Sequence, residues 1–349
     1  MSHPRGWSLT RATCERDRLA VVVRRSEAAN VIGMLLEGGL LDKRRKIVRR
    51  GGMVEIPVLK ERAGIQIIEQ QSPEYYLKMP ELSDLLDGAI PERLRDLLPS
   101  GWFILGDTII VRIHPALSEH KQIIGNALLR LYPRCRCVLA DHGVRGQFRE
   151  PCREVIAGTP GETIHRENGV LFKLDPMKIM FSQGNLKERM RMASLGKDEV
   201  VVDMFAGIGY FSLPMAVHSR PYRITAIEIN PVAHRYLVEN IRLNRVEEIV
   251  EPVLGDCALL TPEGEADRVI MGMVGITDRY LRKGIEALRH GGILHYHQNV
   301  PAWQYPDALM RPPVHAAALL GRSAEPIGCH KIKKYAPGII HGVADIRIC

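Results

Sequence analysis

A chain of 349 residues, 46% apolar and 25% charged, is that of a globular protein with room for two or three domains, not of a disordered one. No apolar run is long enough to span a membrane and residues 1–24 lack the layout of a secretory signal, so no membrane association is expected. The seven cysteines are odd in number, scattered and without a CxxC, which indicates neither a disulfide framework nor a zinc ribbon and points to a reducing cytoplasm with no bound metal.

In chain order, residues 19–23 read as a strand. Ala28, Val31, Ile32, Leu35 and Leu36 then fall at helical spacing, predicting a helix capped by Ser26 and ended by Gly38-Gly39. The net charge of +8 is uneven: residues 1–174 hold 27 Lys and Arg against 21 Asp and Glu. Its densest patch is KRRKIVRR, with Lys43, Arg44, Arg45, Lys46, Arg49 and Arg50. Such a patch is either a solvated surface or a phosphate-backbone contact, and the second gains weight beside a fold that modifies something large. Aromatic residues, at 5%, do not support a broad base-stacking platform. Residues 54–59 and 64–68 read as short strands, completing a small α/β module over residues 1–90. Residues 72–100 read as a helical connector broken at Pro80, Pro91 and Pro99.

A second, α+β module is expected over residues 91–165. It takes a strand in 102–113 after a Gly-Asp turn, a strand in 135–139, and between them a helix over 118–131 with Ile123, Ile124, Ala127, Leu128 and Leu131 on one face. Residues 168–181 alternate as a hairpin around Asp175-Pro176, and 186–195 form a short basic helix. Residues 166–349 then follow the strand–helix alternation of an α/β, doubly wound Rossmann-like sheet. Its strands are expected at 200–204, 223–227, 250–254, 268–271 and 292–296, with 342–348 pairing at an edge. Asn230-Pro231 opens a helix as N-cap and first residue, with Ala233, Leu237, Ile241 and Leu243 facing inward.

The stretch VVVDMFAGIGYFS, residues 200–212, followed by Glu228 at the next strand end, is how such a sheet builds a nucleoside site. Gly207 and Gly209 let the backbone approach a ligand, and a carboxylate one strand over accepts ribose hydroxyls. The spacing serves NAD and S-adenosylmethionine alike. Phe211-Ser212 stands where a dinucleotide fingerprint wants a small residue. Asp203 would repel a pyrophosphate but can serve a cationic methionine end, so S-adenosylmethionine is the favoured ligand. Asp256-Cys257, ending the third strand, pairs a carboxylate with a backbone N–H that can read adenine. The fourth strand runs into Met271-Gly272-Met273-Val274, where no side chain accepts a hydrogen bond, which counts against amine methylation. His295 and His297 share one face at period two; they read as structural or substrate-contacting histidines, and a general-base role is open to either. Their spacing with His341 matches no common zinc site. Arg189, near Asn185, is placed to clamp a carboxylate, although a solvated helix arginine is the usual case.

In order, ENGVLFKLD, FSQGNLKERMRM, VVDMFAGIGYFSLP, AIEINP, GD, DRVIMG, HYH and KYAP…H resemble tRNA-modifying enzymes that act at position 37, 3′ of the anticodon. The resemblance covers most of the chain and is dense from about residue 100 onward. FSQGN, with Gln183-Gly184-Asn185, and MGMV are similar to the FSxGN and glycine-containing loop of the tRNA wybutosine-synthesising protein 2 family. The sibling tRNA (guanine-N1-)-methyltransferase family carries an arginine after FSP and an Asn-Pro-Pro-type loop instead. The resemblance implies a class I S-adenosylmethionine-dependent transferase domain. It also implies transfer of the 3-amino-3-carboxypropyl group to C7 of 4-demethylwyosine, or a close derivative, in tRNA(Phe), with guanosine-37 methylation as the alternative. It implies that Ser182 and Arg189 contact the cofactor at its methionine end and that Phe205, Gly207 and Gly209 form its loop. Glu228 would hold the ribose, Asp256-Cys257 the adenine, and the basic N-terminal modules would face the tRNA.

Overall fold

The computed structural model describes residues 18–60, 66–76, 80–146 and 148–349; Cys14 and the start of the expected strand at 64–68 lie outside the described residues. The chain divides into two compact units between Glu81 and Leu82.

The first unit comprises β1 (Leu19–Arg24), α1 (Ala28–Glu37), β2 (Val48–Arg50), β3 (Met53–Pro57) and β4 (Ile67–Glu69). The strands form an antiparallel sheet in the order β2-β3-β1-β4. Helix α1 lays Ala28 and Leu35 against Val21, Val54 and Ile56. Glu27, not Ser26, stands at its N-cap, because the Glu27 N–H closes a turn onto the Arg24 carbonyl and leaves Ser26 inside that turn.

The basic patch is not uniform. Arg45 is fully buried: it donates to Asp42 at 2.9 Å, to Gln70 at 3.1 Å, and to the carbonyls of Leu19 and Val58 at 2.8 and 3.0 Å. It clips β1 to the end of β3 and cannot be a phosphate contact, which corrects the expectation for this residue. Arg44 grips Asp42, Lys46 pairs with Glu74 and Arg50 with Glu55, while Lys43 and Arg49 stand exposed. Arg45→Ala leaves Asp42 buried without this partner and should destabilise the protein by about 3 kcal/mol in urea unfolding. A loss within about 0.5 kcal/mol would show that Arg45 is an ordinary surface residue.

The second unit opens with α2 (Leu82–Leu85), β5 (Trp102–Leu105), β6 (Thr108–Val111), α3 (Lys121–Leu131), β7 (Cys137–Arg145) and β8 (Glu150–Gly158), its sheet ordered β5-β6-β7-β8. The strand expected after a Gly-Asp turn within 102–113 is β6; β5 precedes that turn, and the two form a hairpin at Gly106, whose φ of +59° suits glycine. Among the described residues of 72–100, the helical elements are α2 and a 3-10 turn, Glu92–Leu97. Leu82, Leu86 and Ile90 pack with Ile109, Ile124 and Leu128, so the part from Leu82 onward belongs to a core and is not a connector. On α3, Ile123 falls just outside the buried stripe of Ile124, Ala127 and Leu128.

Next come the hairpin β9 (Thr163–Glu167) and β10 (Val170–Leu174). It turns at Asn168-Gly169, not at Asp175-Pro176. Both turn residues have positive φ, 47° and 79°, as a two-residue hairpin turn requires. The remaining elements are α4 (Leu186–Met192), β11 (Val200–Asp203), α5 (Ser212–His218), β12 (Arg223–Glu228), α6 (Pro231–Asn244), β13 (Val250–Leu254), α7 (Cys257–Leu260), β14 (Ala266–Met271), α8 (Leu281–Glu286), β15 (Leu288–Pro301), α9 (Asp307–Leu319), β16 (Ala324–Ala336) and β17 (Ile339–Ile348). They form the expected doubly wound sheet, ordered β13-β12-β11-β14-β15-β17-β16, with β13 to β15 parallel. Strand β17 runs antiparallel between β15 and β16, so the edge is β16 and not residues 342–348. Helix α6 is capped as expected, Asn230 accepting the Val232 N–H at 2.9 Å. Asn240 and Asn244 bracket the backbone of Lys173 and Leu171, fastening β10 to α6. None of the helices among the described residues is long and apolar enough to cross a membrane.

Candidate functional site

The strand order reverses at β11, so a crevice opens at the carboxyl ends of β11, β12 and β14, where open α/β sheets take their ligands. The loop after β11 is held from both sides. Beneath it, the buried Asp203 accepts the Ser212 hydroxyl at 2.7 Å and the Phe205 N–H at 3.3 Å, and burial pushes its carboxyl up to about 6. Asp203 therefore pins the loop and does not line the crevice, which corrects its expected place at a methionine end. Above it, Glu228 accepts the Gly207 N–H and the Asn230 N–H, each at 2.7 Å. Burial raises the Glu228 pKa, opposed by these backbone donors.

Gly207 has a φ of +59°, and a Cβ there would lie 2.4 Å from the Tyr210 ring. Gly209 lies behind the wall. Its φ is +100°, and the Leu213 side chain occupies the space a Cβ would need, so this glycine serves the approach of α5.

Two adjoining cavities share Phe205, Glu228, Ile229 and Met273. The smaller is mainly apolar, lined by Met204, Ile276 and Tyr280 together with Asp256 and Cys257. Asp256 also caps α7, accepting the Ala258 N–H at 2.9 Å, and burial pushes the Cys257 thiol up to about 12. The larger is lined by Ser182, Asn185, Arg189, Gly207, Lys333 and His341, among others. Gly272, Met273 and Val274 close one side without a side-chain hydrogen-bond acceptor. The structure thus brings together Ser182, Arg189, Phe205, Gly207, Glu228, Asp256 and Cys257 from five separate segments. A carboxylate beside a glycine N–H suits vicinal hydroxyls, and a mainly apolar cavity with a carboxylate in its lining suits a purine with an exocyclic amine.

Arg189 stands differently from its expected place as a clamp. It donates two bonds to Glu167, at 2.5 and 2.7 Å, and a third to the Ser182 carbonyl at 2.9 Å, with its guanidinium over the Phe181 ring. Its charge is matched within the protein, and it buttresses the Ser182 wall.

The two candidate catalytic histidines are both buried, and neither lines the two cavities. His295 is held at 2.6 Å from Asp345 and 2.5 Å from Arg268, which pairs in turn with Glu199. It is part of a buried ionic network and does not reach a substrate. His297 packs on Phe211, with its Nδ1 3.3 Å from His341 Nε2. His341 is the imidazole that reaches the larger cavity, and the sequence reading weighed it only as a metal ligand. Burial and the neighbouring His297 lower its pKa to about 3, so it is neutral at pH 7.

Three cations of the wall escaped the sequence reading: Arg149, Lys333 and Lys178, the last of which pairs with Asp175. Lys333 donates to the Ser182 hydroxyl at 2.7 Å, and Arg149 lies nearby. Among the described residues neither Lys333 nor Arg149 has a carboxylate within ion-pair distance. Burial, with Arg149 and Arg189, lowers the Lys333 pKa to about 8.

Comparison with known proteins accords with this architecture. Residues 163–317 match the TRM5/TYW2 methyltransferase domain, 82–161 the TYW2 N-terminal domain, and 20–66 the tRNA methyltransferase 5 N-terminal domain. The chain is 38% identical over 270 residues to the tRNA(Phe) (4-demethylwyosine(37)-C(7)) aminocarboxypropyltransferase of Pyrococcus horikoshii, covering 77% of this chain and 96% of that one. It is 33% identical to the tRNA (guanine(37)-N(1))-methyltransferase Trm5b of Pyrococcus abyssi, covering 95% of this chain and 99% of that one. The crystal structure of Methanocaldococcus jannaschii TYW2 in complex with AdoMet superposes with a TM-score of 0.59 at 38% identity, over 71% of this chain and 99% of that one. A doubly wound sheet with a glycine loop, a strand-end glutamate and these matches in register leads to one conclusion: the chain belongs to the TRM5/TYW2 family.

Proposed function

We propose that this protein transfers the 3-amino-3-carboxypropyl group of S-adenosylmethionine to C7 of 4-demethylwyosine, or a close derivative, at position 37 of tRNA(Phe) in the cytoplasm. The observation that carries the reading is the crevice wall at Gly272–Val274, which offers no side-chain acceptor for an amine, in a chain 38% identical to the Pyrococcus horikoshii aminocarboxypropyltransferase. When bound, S-adenosylmethionine supplies a sulfonium that makes three attached carbons electrophilic.

The chain's own residues fit that ligand. Glu228, its two oxygens fixed by backbone N–H groups, takes the ribose hydroxyls. Asp256 and the Cys257 N–H read the purine edge between Phe205, Ile276 and Tyr280. Orientation decides which carbon reacts, because near-attack geometry changes rates by several powers of ten. Attack by C7 on the γ-carbon forms the new C–C bond, and the electron pair of the broken C–S bond leaves with methylthioadenosine. The C7 proton is then lost to water, which restores the aromatic ring. Chromatography of the co-product should give methylthioadenosine and no adenosylhomocysteine.

A second reading has a specific observation behind it: residues 20–66 match the tRNA methyltransferase 5 N-terminal domain. Methylation of guanosine 37 would give adenosylhomocysteine, so the same assay separates the two.

The exposed basic residues of the first unit, Lys43 and Arg49 foremost, contact the tRNA backbone. Replacing both by Ala should weaken tRNA binding and flatten its salt dependence by about one slope unit for each side chain removed. An unchanged slope in a filter-binding salt series would remove them from the interface.

A further inference from the structure

Strand β15 outruns the parallel part of its sheet. Its last partner on β14 is Met271, opposite Tyr296, yet β15 continues through His297 to Pro301, paired there with β17. That overhang is roughly 17 Å of strand at the ordinary rise per residue. Strand β16 follows β17 along it, ending with Ala336 opposite Ile339. Because β15 runs parallel to β14 and β11, this three-stranded extension stands at the carboxyl ends of the strands, on the side of the crevice. Two bulges bend β16 within it, and the second frees Tyr335 from the ladder; its exposed ring lines the larger cavity. At the tip, the Ala302 N–H donates to the Gly338 carbonyl at 2.8 Å, which sets Trp303 beside the turn between β16 and β17. Trp303 is 81% exposed, more than any other aromatic residue among those described.

An indole held in water contributes little to the core, and its surroundings fit a polyanion. Residues 291–306 and 326–344, which build the extension and its tip, hold no Asp or Glu. The first acid past the tip is Asp307, which opens α9. Lys331 and Lys334 are exposed on β16. Exposed rings interleaved with lysines suit unpaired nucleotides, each of which offers a π-face and a phosphate. We propose that the tip of this extension takes the unpaired nucleotides beside the target base, Trp303 stacking on one of them and Lys331 and Lys334 following their phosphates. The assignment rests on the reading that the crevice modifies a base of the tRNA anticodon loop, since a base carried into the crevice brings its neighbours against the extension. Trp303 is then a positioning residue. Stacking of this kind tolerates any base, so it supplies affinity and register and leaves the choice of target to the crevice.

The test uses the full-length protein and two RNAs: a hairpin with the anticodon stem and loop of tRNA(Phe), and the same stem as a blunt duplex without the loop. Trp303→Ala should weaken the hairpin by about tenfold, the worth of one base–aromatic stack, and leave the duplex and S-adenosylmethionine within about twofold. Trp303→Phe keeps a ring and should restore most of the hairpin affinity. The hairpin should also quench the indole emission of the wild type, a change that the phenylalanine variant lacks. Lys331→Ala and Lys334→Ala should each flatten the salt dependence of hairpin binding by about one slope unit. Unchanged hairpin affinity in Trp303→Ala would overturn the proposal. So would equal weakening of hairpin and duplex, which would mean that the tip meets only backbone or is merely structural. A wild-type protein that binds neither RNA would refute the tRNA reading itself, an outcome distinct from the other two.

Discussion

Glu228→Ala is expected to weaken S-adenosylmethionine binding by about a hundredfold, the loss of two charge-assisted bonds to ribose hydroxyls. Both Glu228 oxygens are already oriented by the N–H groups of Gly207 and Asn230, so the carboxylate is held ready before a ligand arrives. That preorganisation is why the loss should be large. Glu228→Gln keeps the shape and one acceptor, and should fall between the wild type and the alanine variant. The pH dependence has a definite sign. Burial raises the Glu228 pKa above its ordinary 4.5, and the ionised form is the acceptor, so affinity should decline with falling pH sooner than an ordinary glutamate would allow. The glutamine variant should lose that dependence. Titration calorimetry between pH 5 and 8 checks both points, and a loss under about threefold for Glu228→Ala would remove this residue from the ribose site.

The second large effect is on stability. Asp345, on β17, accepts from His295 on β15 and from Arg191 on α4, tying three elements together beneath the crevice. Burial alone would raise its carboxyl; the His295 bond and the Arg191 charge overcome this and hold it well below the ordinary carboxylate range. Asp345→Ala leaves the buried His295 without its carboxylate partner and Arg191 with Glu188 alone, and should cost about 3 kcal/mol in urea unfolding at pH 7. Because the folded-state pKa is depressed, the contribution is full above the unfolded value near 4 and is lost as pH falls through the folded one. The gap between variant and wild type should therefore shrink below about pH 3. A cost under about 1 kcal/mol at pH 7 would mean the network is not a keystone of the sheet.

The contrast between these sites and their sequence signals has physical causes. The glycine loop, Glu228 and Asp256 were legible because each sits at a strand end, where alternation of strand and helix fixes position along the chain. The hairpin turn was misplaced although Asn168-Gly169 is a strong turn signal, because Asp175-Pro176 competes with it by composition alone. Strand β16 escaped because its residues, AEPIGCHKIKKYA, are mostly exposed or half-buried and lack strict alternation. With β16 unseen, β17 was assigned to the edge it covers. Lys333 was invisible for the same reason: only the β16 pairing carries it over Ser182, 151 residues away. Arg45 and Arg189 show a different limit. Composition reads a basic residue as surface, whereas Asp42 and Glu167 bury these two by pairing with them, and that pairing is a property of the fold. His295 and His297 were correctly placed on one face of a strand, but that face packs inward and leaves His341 of the neighbouring strand at the cavity.

The most direct test of the central claim is mass spectrometry of nucleosides from tRNA(Phe) bearing 4-demethylwyosine, after incubation with this protein and S-adenosylmethionine. The transfer proposed here predicts a gain of about 101 Da on the tricyclic base, the aminocarboxypropyl group replacing hydrogen. A gain of about 14 Da, on this tRNA or on one with unmodified guanosine 37, would contradict it and assign the crevice to methyl transfer.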